Sequence, residues 1–305
     1  MTTLPDLPVA VLPEPEPADL MTALRASGVR LVRPARAEGL IWTGERPSAL
    51  AAALACAPSV RWVQLASTGV ESYLPLMDQK IRWSRAVGVQ SELVAEHALM
   101  LALTVLRQGT ASVRAGAWLP RPAIGLTDAE VLVVGGGGIA RALLALLRPF
   151  RVRAKVICRG GALMAGAEVG TPDRLDAWLP EARVVFLAAP LTADTAGLID
   201  AVRLRSMRRD ACLVNVARGG LVITDDLVRA LTSGWIAGAG LDVTDPEPLP
   251  PEHPLWSLPT CVITAHCAGD LDHALGPFVD LVRRNIRRLA NGLEPIGLVD
   301  RELGY

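Results

Sequence analysis

The stretch that decides the fold is EVLVVGGGGIARALLALLRPF, from Glu130 to Phe150. The run VLVV is short, apolar and rich in β-branched valine, which is typical of a parallel strand covered on both faces. Four glycines follow, and after them Ile139, Leu143 and Leu147 recur near helical spacing. The stretch therefore predicts a buried strand, a tight turn and a helix.

The glycines fit the pattern G-x-G-x-x-G/A through Gly135, Gly137 and Ala140. In a dinucleotide site the first small residue makes the turn, the second lets the backbone approach the pyrophosphate, and the third lets helix and strand pack closely. The helix N-terminus adds free N–H groups and a partial positive charge that favour an anion. A glycine-rich turn without a ligand is the alternative, but the strand-turn-helix context favours the dinucleotide site.

Length and composition exclude several classes of protein. The 305 residues are enough for about two domains. The formal net charge is zero, which argues against nucleic-acid binding and against a polybasic membrane patch. The most apolar segment, HALMLALTVL, is too short to span a bilayer, and the N-terminus lacks the basic start and apolar core of a signal peptide.

The cysteines are odd in number, scattered, and without a C-x-x-C pair, so we expect reduced, mostly buried thiols in a cytoplasmic protein. The five positions are Cys56, Cys158, Cys212, Cys261 and Cys267. No pattern predicts a structural zinc site or another metal.

Short apolar runs alternate with helical patterns along most of the chain, which predicts an α/β protein with parallel sheets. The runs are PVAVL, VRLVR, GLIWTG, VRWVQLAS, VLVV, AKVICR, RVVFLAAP, ACLVNVA, WIAGAGLDV and CVITAH.

Two long helical stretches flank the glycine-rich region, one from Ser91 and one ending at Gly292. The tail after the second stretch is too short to fold alone. We therefore predict a discontinuous substrate domain, residues 1–90 and 270–305, with a dinucleotide-binding domain, residues 91–269, inserted into it and the two helices as the hinge.

The residue after the strand AKVIC bears on the choice of cofactor. An NAD site usually has an acid about 20 residues beyond the first glycine, where it binds the ribose 2′-OH. Here the residue is Arg159, 24 positions beyond Gly135. An arginine at this place can bind a 2′-phosphate through charge-assisted hydrogen bonds. NADP is therefore favoured over NAD; an arginine that is merely exposed at a strand end is the alternative.

Three polar residues follow three successive predicted strands. Arg218 follows ACLVNVA, Glu247 follows GAGLDV and His266 follows CVIT. Each alone has a structural explanation: a turn cap, a solvated acid, or a strand-end histidine. Ligands of open α/β sheets bind beyond the carboxyl ends of the strands, so the three together predict a catalytic site.

The motifs VGGGGIA, PLTADTAGLI, NVARGGLV, LDVTDPEPLPPEHPLW and ITAHCAG, in this order, resemble the D-isomer-specific 2-hydroxyacid dehydrogenase family. VQLASTGVE and VAEHALMLAL upstream are similar to the same family. The resemblance implies a Rossmann-type nucleotide domain inserted into a flavodoxin-like substrate domain, and a homodimer. It implies an NAD(P)-dependent oxidoreductase acting on a small 2-keto or D-2-hydroxy acid, with hydroxypyruvate or glyoxylate as the leading expectation.

The resemblance assigns catalysis to Arg218, Glu247 and His266. His266 would supply the proton that accompanies hydride transfer, because imidazole titrates near neutral pH. Glu247 would accept a hydrogen bond from the other ring nitrogen, and Arg218 would bind the substrate carboxylate. Asp242 resembles the family acid that orients the nicotinamide; a strand-end cap is an equally weighted alternative.

The remaining predicted contacts follow from the same motifs. The cofactor-binding residues are Gly135, Gly137, Gly138, Ile139, Arg159, Pro190, Thr195, Val216, Ala217, Asp242 and His266. The substrate-binding residues are Arg218 and the backbone of Thr68, Gly69 and Val70, which can form an anion-binding nest. A turn that needs glycine for its conformation is the alternative for the nest.

Trp42 and His97 are interpreted as packed residues rather than as parts of the site. Formate dehydrogenases, which are relatives of this family, pair the histidine with glutamine, so Glu247 argues against that activity. A non-catalytic dinucleotide-sensing protein, as in corepressors related to the family, is the alternative outside enzymes.

Overall fold

The computed structural model describes residues 7–122, 124–160, 163–271 and 273–305. Contacts within the chain divide it into two units: Met1–Gln90 with Asp270–Tyr305, and Ser91–Gly269. The assignment of one unit to the substrate and the other to the cofactor stays a prediction. Of the helices in the described residues, none combines the length and apolar composition needed to cross a bilayer.

The described residues form eleven strands and nine α-helices, each set numbered in chain order. Strands β1 to β11 are Val9–Leu12, Gly39–Trp42, Trp62–Leu65, Arg82–Ser84, Glu130–Val134, Arg153–Ile157, Ala167–Gly170, Val184–Leu187, Cys212–Asn215, Gly238–Leu241 and Cys261–Ile263. Helices α1 to α9 are Ala18–Ala26, Pro47–Ala55, Ser91–Leu106, Gly109–Arg114, Gly138–Leu147, Leu175–Trp178, Ala201–Ser206, Thr224–Thr232 and Leu275–Ala290. Short 3₁₀ turns cover Pro34–Arg36, Glu71–Leu76, Arg148–Phe150, Pro172–Arg174, Leu179–Glu181, Gly219–Leu221 and Pro254–Trp256.

The sheet of the first unit is parallel, in the order β1-β2-β3-β4. Leu31 makes a parallel bridge to Val9 on the other side of β1. If the segment at Leu31 is counted as the second of five segments in chain order, their order across the sheet is 2-1-3-4-5. This is the order of the flavodoxin-like fold that we predicted. The run VRLVR contributes this bridge instead of a full strand. Trp42, in β2, is 1% exposed and donates a hydrogen bond from Nε1 to the Tyr73 hydroxyl at 3.3 Å, as expected for a core residue.

The C-terminal segment closes the first unit. Leu298 bridges Ser84, and the Val299 N–H donates to the Trp83 carbonyl at 2.8 Å. Asn285, fully buried on α9, donates to Gln64 on β3 at 2.9 Å and to the Ile296 carbonyl at 3.0 Å. These bonds satisfy polar groups that burial would otherwise penalise, so they join the end of the chain to its beginning.

The second unit contains a seven-stranded parallel sheet in the order β11-β10-β9-β8-β5-β6-β7. The chain runs outward from β5 through β6 to β7, and then returns to the other side of β5 with β8. The predicted Rossmann-type topology is therefore confirmed. The strand order reverses at β5, whose carboxyl end leads into the glycine-rich turn. Such a switch point is where open α/β sheets bind ligands.

The helix α3 packs closely against the sheet of the second unit. Its partners in the sheet are β9, β10 and β11, and it also packs against α5. A Cβ added to Gly240 would lie 2.8 Å from the Leu101 Cβ, and one added to Gly238 would lie 2.6 Å from a Val105 methyl carbon. The two glycines of β10 therefore let the helix approach the strand more closely than a side chain would permit.

Three expectations about local structure were wrong. The helical stretch from Ser91 divides into α3 and α4, because Gln108 has a φ of +51° that interrupts the helix. The strands β4 and β7 were not predicted, because they lie at the edges of their sheets and carry charged residues such as Arg82 and Glu168. The five cysteines are free, as expected, but only Cys212 and Cys261 are buried.

Candidate active site

The turn after β5 can take only glycine at its first position. Gly135 has a φ of +120°, and its N–H donates to the Ile157 carbonyl at 2.8 Å. A Cβ at this position would lie 2.3 Å from the Ala188 carbonyl oxygen, and one on Gly136 would lie 2.7 Å from the Cys158 Cβ. The loop is therefore held between the ends of β6 and β8.

The other side of the same turn is open. Gly137 is the N-cap of α5, and a Cβ built on it would meet nothing within 4 Å. The N–H groups of Gly138 and Ile139, the first residues of α5, have no carbonyl four residues earlier within the helix. A helix N-terminus beside open space is what a dinucleotide pyrophosphate requires, so these residues fit the cofactor.

The other predicted cofactor residues follow the neighbouring strands. Arg159 is exposed two residues after the end of β6. Thr195 organises the loop after β8, because its hydroxyl donates to the Pro190 carbonyl at 2.7 Å. Val216 and Ala217 are buried directly after β9. All of these positions lie at the carboxyl edge of the sheet, as does the glycine turn.

Asn215 shapes the turn that presents Arg218. Its buried amide donates to the Arg218 carbonyl at 2.8 Å and accepts from the Ala217 N–H at 3.1 Å. The Arg218 guanidinium donates from Nη1 to the Ala217 carbonyl at 2.6 Å. The next residue, Gly219, has no room for a side chain, since a Cβ would lie 1.9 Å from the Thr244 carbonyl oxygen. Arg218 is therefore half-buried on a turn fixed at both ends.

His266 and Glu247 are in direct contact. The distance from His266 Nδ1 to Glu247 Oε1 is 2.6 Å. The two side chains are about half exposed, at 53% and 42% respectively. Because a carboxylate oxygen only accepts, Nδ1 is the protonated nitrogen of this bond when the imidazole is neutral. The contact thus fixes the tautomer that leaves Nε2 for another partner.

The loop that carries His266 is anchored on Asp242, the residue after β10. The backbone N–H groups of Cys267 and Ala268 each donate to its carboxylate at 3.0 Å. The His266 N–H donates to the Asp242 carbonyl at 2.8 Å, and His266 adopts a φ of +49°. Asp242 is 2% exposed, so these bonds satisfy a charge that is buried beneath the loop. These hydrogen bonds match the alternative role of Asp242 as a strand-end cap. Its role toward the nicotinamide stays a prediction.

A second layer of contacts reaches Asp242 from α3. The Thr264 hydroxyl lies 2.6 Å from Asp242 Oδ1, and His97 Nε2 lies 2.9 Å from that hydroxyl. The ligand-type atoms of His97, Asp242 and Cys267 lie within 4.8 Å of one another. Both Asp242 oxygens already accept hydrogen bonds, and we assign no metal ion to this cluster.

In the first unit, the predicted anion nest follows β3. Thr68 is exposed and Val70 is buried, and the Thr68 hydroxyl donates to the Ala86 carbonyl at 3.2 Å. Within the described ranges, the backbone N–H groups of Thr68, Gly69 and Val70 donate to no backbone carbonyl. Three consecutive N–H groups of this kind can bind an anion.

Sequence reasoning missed several residues that shape the site. Asn215 was detectable, since asparagine at a strand end commonly bonds to the backbone two residues on. Thr264 and Gly219 lie within recognised motifs but were given no role. The contact of His97 with Thr264 joins residues 167 positions apart, and no local pattern predicts it.

The model of the D-isomer specific 2-hydroxyacid dehydrogenase NAD-binding domain matches residues 97–268. The chain belongs to this family. It is an NAD(P)-dependent dehydrogenase that uses a nicotinamide dinucleotide cofactor.

Proteins similar to this dehydrogenase include glyoxylate reductases. A glyoxylate reductase of Pyrococcus furiosus is 36% identical over 228 residues, which cover 70% of this chain and 68% of the relative. A family member of Xanthobacter autotrophicus, solved with NADPH and MES, aligns with a TM-score of 0.86 at 25% identity, covering 97% of this chain and 99% of that one. An NADPH-dependent glyoxylate/hydroxypyruvate reductase of Sinorhizobium meliloti, solved with NADP and sulfate, has a TM-score of 0.83 at 26% identity, covering 98% and 99%.

Proposed function

We propose that this dehydrogenase reduces a small 2-keto acid, hydroxypyruvate or glyoxylate, to the D-2-hydroxy acid with NADPH. The observation that carries the proposal is the contact of His266 Nδ1 with Glu247 Oε1 at 2.6 Å, at the carboxyl ends of neighbouring strands. An imidazole held by a carboxylate is suited to general acid–base catalysis. The relatives named as glyoxylate reductases support the choice of substrate. The non-catalytic alternative is not favoured.

His266 acts as the proton donor in this proposal. Because Nδ1 is directed at Glu247, the other nitrogen, Nε2, is the one that holds the proton for the substrate carbonyl oxygen. When the carbonyl carbon is reduced, its oxygen takes this proton and becomes the hydroxyl group. In the reverse direction the neutral imidazole accepts the hydroxyl proton.

Arg218 binds the substrate. The bond from its Nη1 to the Ala217 carbonyl and the bond from Asn215 to its own carbonyl restrict its position. A fixed guanidinium binds a carboxylate with well-defined geometry and stabilises negative charge that develops on the adjacent carbonyl oxygen. The N–H groups of Thr68, Gly69 and Val70 are also proposed to bind substrate, as an anion-binding nest.

The cofactor is held by the glycine turn and by residues that follow the neighbouring strands. Gly137, Gly138 and Ile139 present the N-terminus of α5 to the pyrophosphate. When bound, the reduced nicotinamide supplies the hydride. Arg159, exposed after β6, is proposed to bind the 2′-phosphate and so to give NADPH preference over NADH.

We further propose a homodimer, as the family resemblance implies, and we retain the cytoplasmic location as a prediction. An exposed apolar segment supports the dimer. Val113, Trp118 and Leu119 are 86%, 97% and 58% exposed, respectively. Aromatic and aliphatic side chains exposed to this degree within one short segment are typical of an interface. Light scattering on the purified protein measures its oligomeric state directly. W118S is expected to shift the protein toward the monomer.

The experiment that tests the activity is a panel of 2-keto acids with NADH and with NADPH, monitored by absorbance of the reduced nicotinamide. We expect turnover of glyoxylate or hydroxypyruvate with NADPH, and a lower kcat/KM with NADH. Binding of NADPH without turnover of any 2-keto acid in the panel would contradict the proposed reaction.

A further inference from the structure

We propose that His97, on helix α3, is a positioning residue for the catalytic loop: through Thr264 and Asp242 it holds the segment that carries His266. The inference rests on the proposed role of His266 and extends it to a residue outside the reacting groups. It adds a positioning role to the interpretation of His97 as a packed residue.

The hydrogen-bond directions in this chain of contacts can be derived. The Thr264 hydroxyl carries one hydrogen, and its contact of 2.6 Å with Asp242 Oδ1 uses that hydrogen, because a carboxylate oxygen only accepts. The contact of 2.9 Å between Thr264 Oγ1 and His97 Nε2 must then be donated by Nε2–H. His97 Nε2 also lies 3.4 Å from Asp242 Oδ1, so its hydrogen faces both acceptors.

Burial makes this arrangement specific. The Asp242 side chain is 1% exposed and the His97 side chain is 15% exposed. A carboxylate removed from water needs several donors to compensate for its lost hydration. Asp242 obtains them from Thr264, from the N–H groups of Cys267 and Ala268, and from the nearby His97. Loss of the His97 imidazole therefore leaves the carboxylate that anchors the loop with fewer donors around it.

The glycines of β10 make the contact possible. Gly238 and Gly240 let α3 approach the sheet, since a Cβ at either position would lie within 2.8 Å of Leu101 or Val105. His97 lies one turn before Leu101 on the same helix, on the side that faces the ends of β10 and β11. The close approach brings the imidazole to Thr264, two residues before His266.

The consequence for catalysis is geometric. His266 has a φ of +49°, a conformation that few residues other than glycine adopt without support from their surroundings. Its N–H and those of the next two residues all bond to Asp242. If Asp242 shifts, the imidazole of His266 loses its alignment, and a displacement of about 1 Å can cost a large factor in rate.

The test compares variants that break the bond between His97 and Thr264 with one that keeps it. H97F keeps the ring size but has no donor, and T264V removes the hydroxyl that accepts from His97 and donates to Asp242. H97Q places an amide donor close to the position of Nε2. Two further variants are measured in parallel. H266A tests the proposed reaction, and H273F, which changes an exposed histidine, is the neutral control.

We expect kcat to fall about tenfold in H97F and in T264V, with the KM for NADPH within about twofold of wild type. The double variant should be little slower than T264V alone, because T264V already breaks the bond that His97 donates to Thr264 as well as the bond from Thr264 to Asp242. H97Q should recover most of the activity. In hydrogen–deuterium exchange on the protein without cofactor, residues 264–268 should exchange about five to ten times faster in H97F and T264V.

The outcomes separate the two proposals. If H266A retains wild-type kcat, the proposed reaction is wrong, and the exchange measurement alone decides the role of His97. If H266A loses activity while H97F keeps wild-type kcat, or if residues 264–268 exchange at the wild-type rate in H97F and T264V, the positioning role is overturned. A rise in KM with unchanged kcat would likewise overturn it.

Discussion

His266 Nδ1 and Glu247 Oε1 lie 2.6 Å apart, although the two residues are 19 positions apart in loops that follow different strands. The contact exists because β10 and β11 are adjacent and parallel, so that their carboxyl ends meet at one edge of the sheet. It brings an acid and an imidazole together at the same edge of the sheet as the turn that fits a dinucleotide.

Replacement of His266 by alanine should lower kcat by at least about 100-fold, because the substrate oxygen loses its proton donor. The Kd for NADPH should stay within about twofold of wild type, since the glycine turn is unchanged. Steady-state rates beside fluorescence titration with NADPH measure both quantities. His273 is exposed and pairs with Asp270, so H273A serves as the matched control. An unchanged kcat in H266A would exclude His266 as the acid.

Replacement of Glu247 by glutamine should lower kcat about tenfold or more while the fold is retained. The amide preserves the size of the side chain but removes the charge that stabilises the protonated ring. Single-turnover reduction of the 2-keto acid at saturating NADPH measures the effect on chemistry. Glu252, an exposed acid in the same connection between β10 and β11, provides the control E252Q. Equal rates in both variants would argue against a role for the pair.

Replacement of Arg159 by alanine should raise the KM for NADPH at least about tenfold and change the KM for NADH less than about twofold. The reason is that a guanidinium bonds to the 2′-phosphate, a group that NADH lacks. R148A, which removes an exposed arginine after α5, is the control for a general loss of positive charge. Equal losses of affinity for both cofactors would remove the argument for NADP.

Alanine substitutions at two positions of the glycine turn should have different effects. G137A should keep the melting temperature of the wild type, because the added Cβ meets nothing within 4 Å. It should weaken NADPH binding about tenfold or more, because the Cβ occupies the space through which the pyrophosphate approaches. G135A should lower the melting temperature, because its Cβ would overlap the Ala188 carbonyl. Calorimetry and NADPH titration separate the two. Unchanged affinity in G137A would show that the dinucleotide does not approach there.

The reactivity of the cysteine thiols should depend on their burial. Burial raises the pKa of the Cys261 thiol to about 12 and raises that of Cys212 even further from its usual value. The reactive thiolate of either residue is therefore scarce at pH 8. A disulfide reagent should modify exposed Cys56 and Cys267 rapidly, and Cys212 and Cys261 only after denaturation. Mass spectrometry of the labelled peptides checks this, and rapid labelling of Cys212 in the native protein would contradict the burial.

The sequence alone determined the features that depend on local pattern. Alternating apolar runs specify buried parallel strands, and a glycine at Gly135 specifies a turn that no residue with a Cβ can make. The order of the motifs assigned Arg218, Glu247 and His266 to successive strand ends before any distance was known. Strands β4 and β7 were not predicted, because they lie at the edges of their sheets and carry charged residues.

Only the tertiary structure decided which distant groups meet. The bond between His266 and Glu247 depends on the pairing of β10 with β11, and the contact of His97 with Thr264 depends on how closely α3 lies on the glycines of β10. Such contacts join residues far apart in the chain, and their distances are set by packing. A linear sequence encodes that packing only through all of its interactions at once, so no local pattern reveals it.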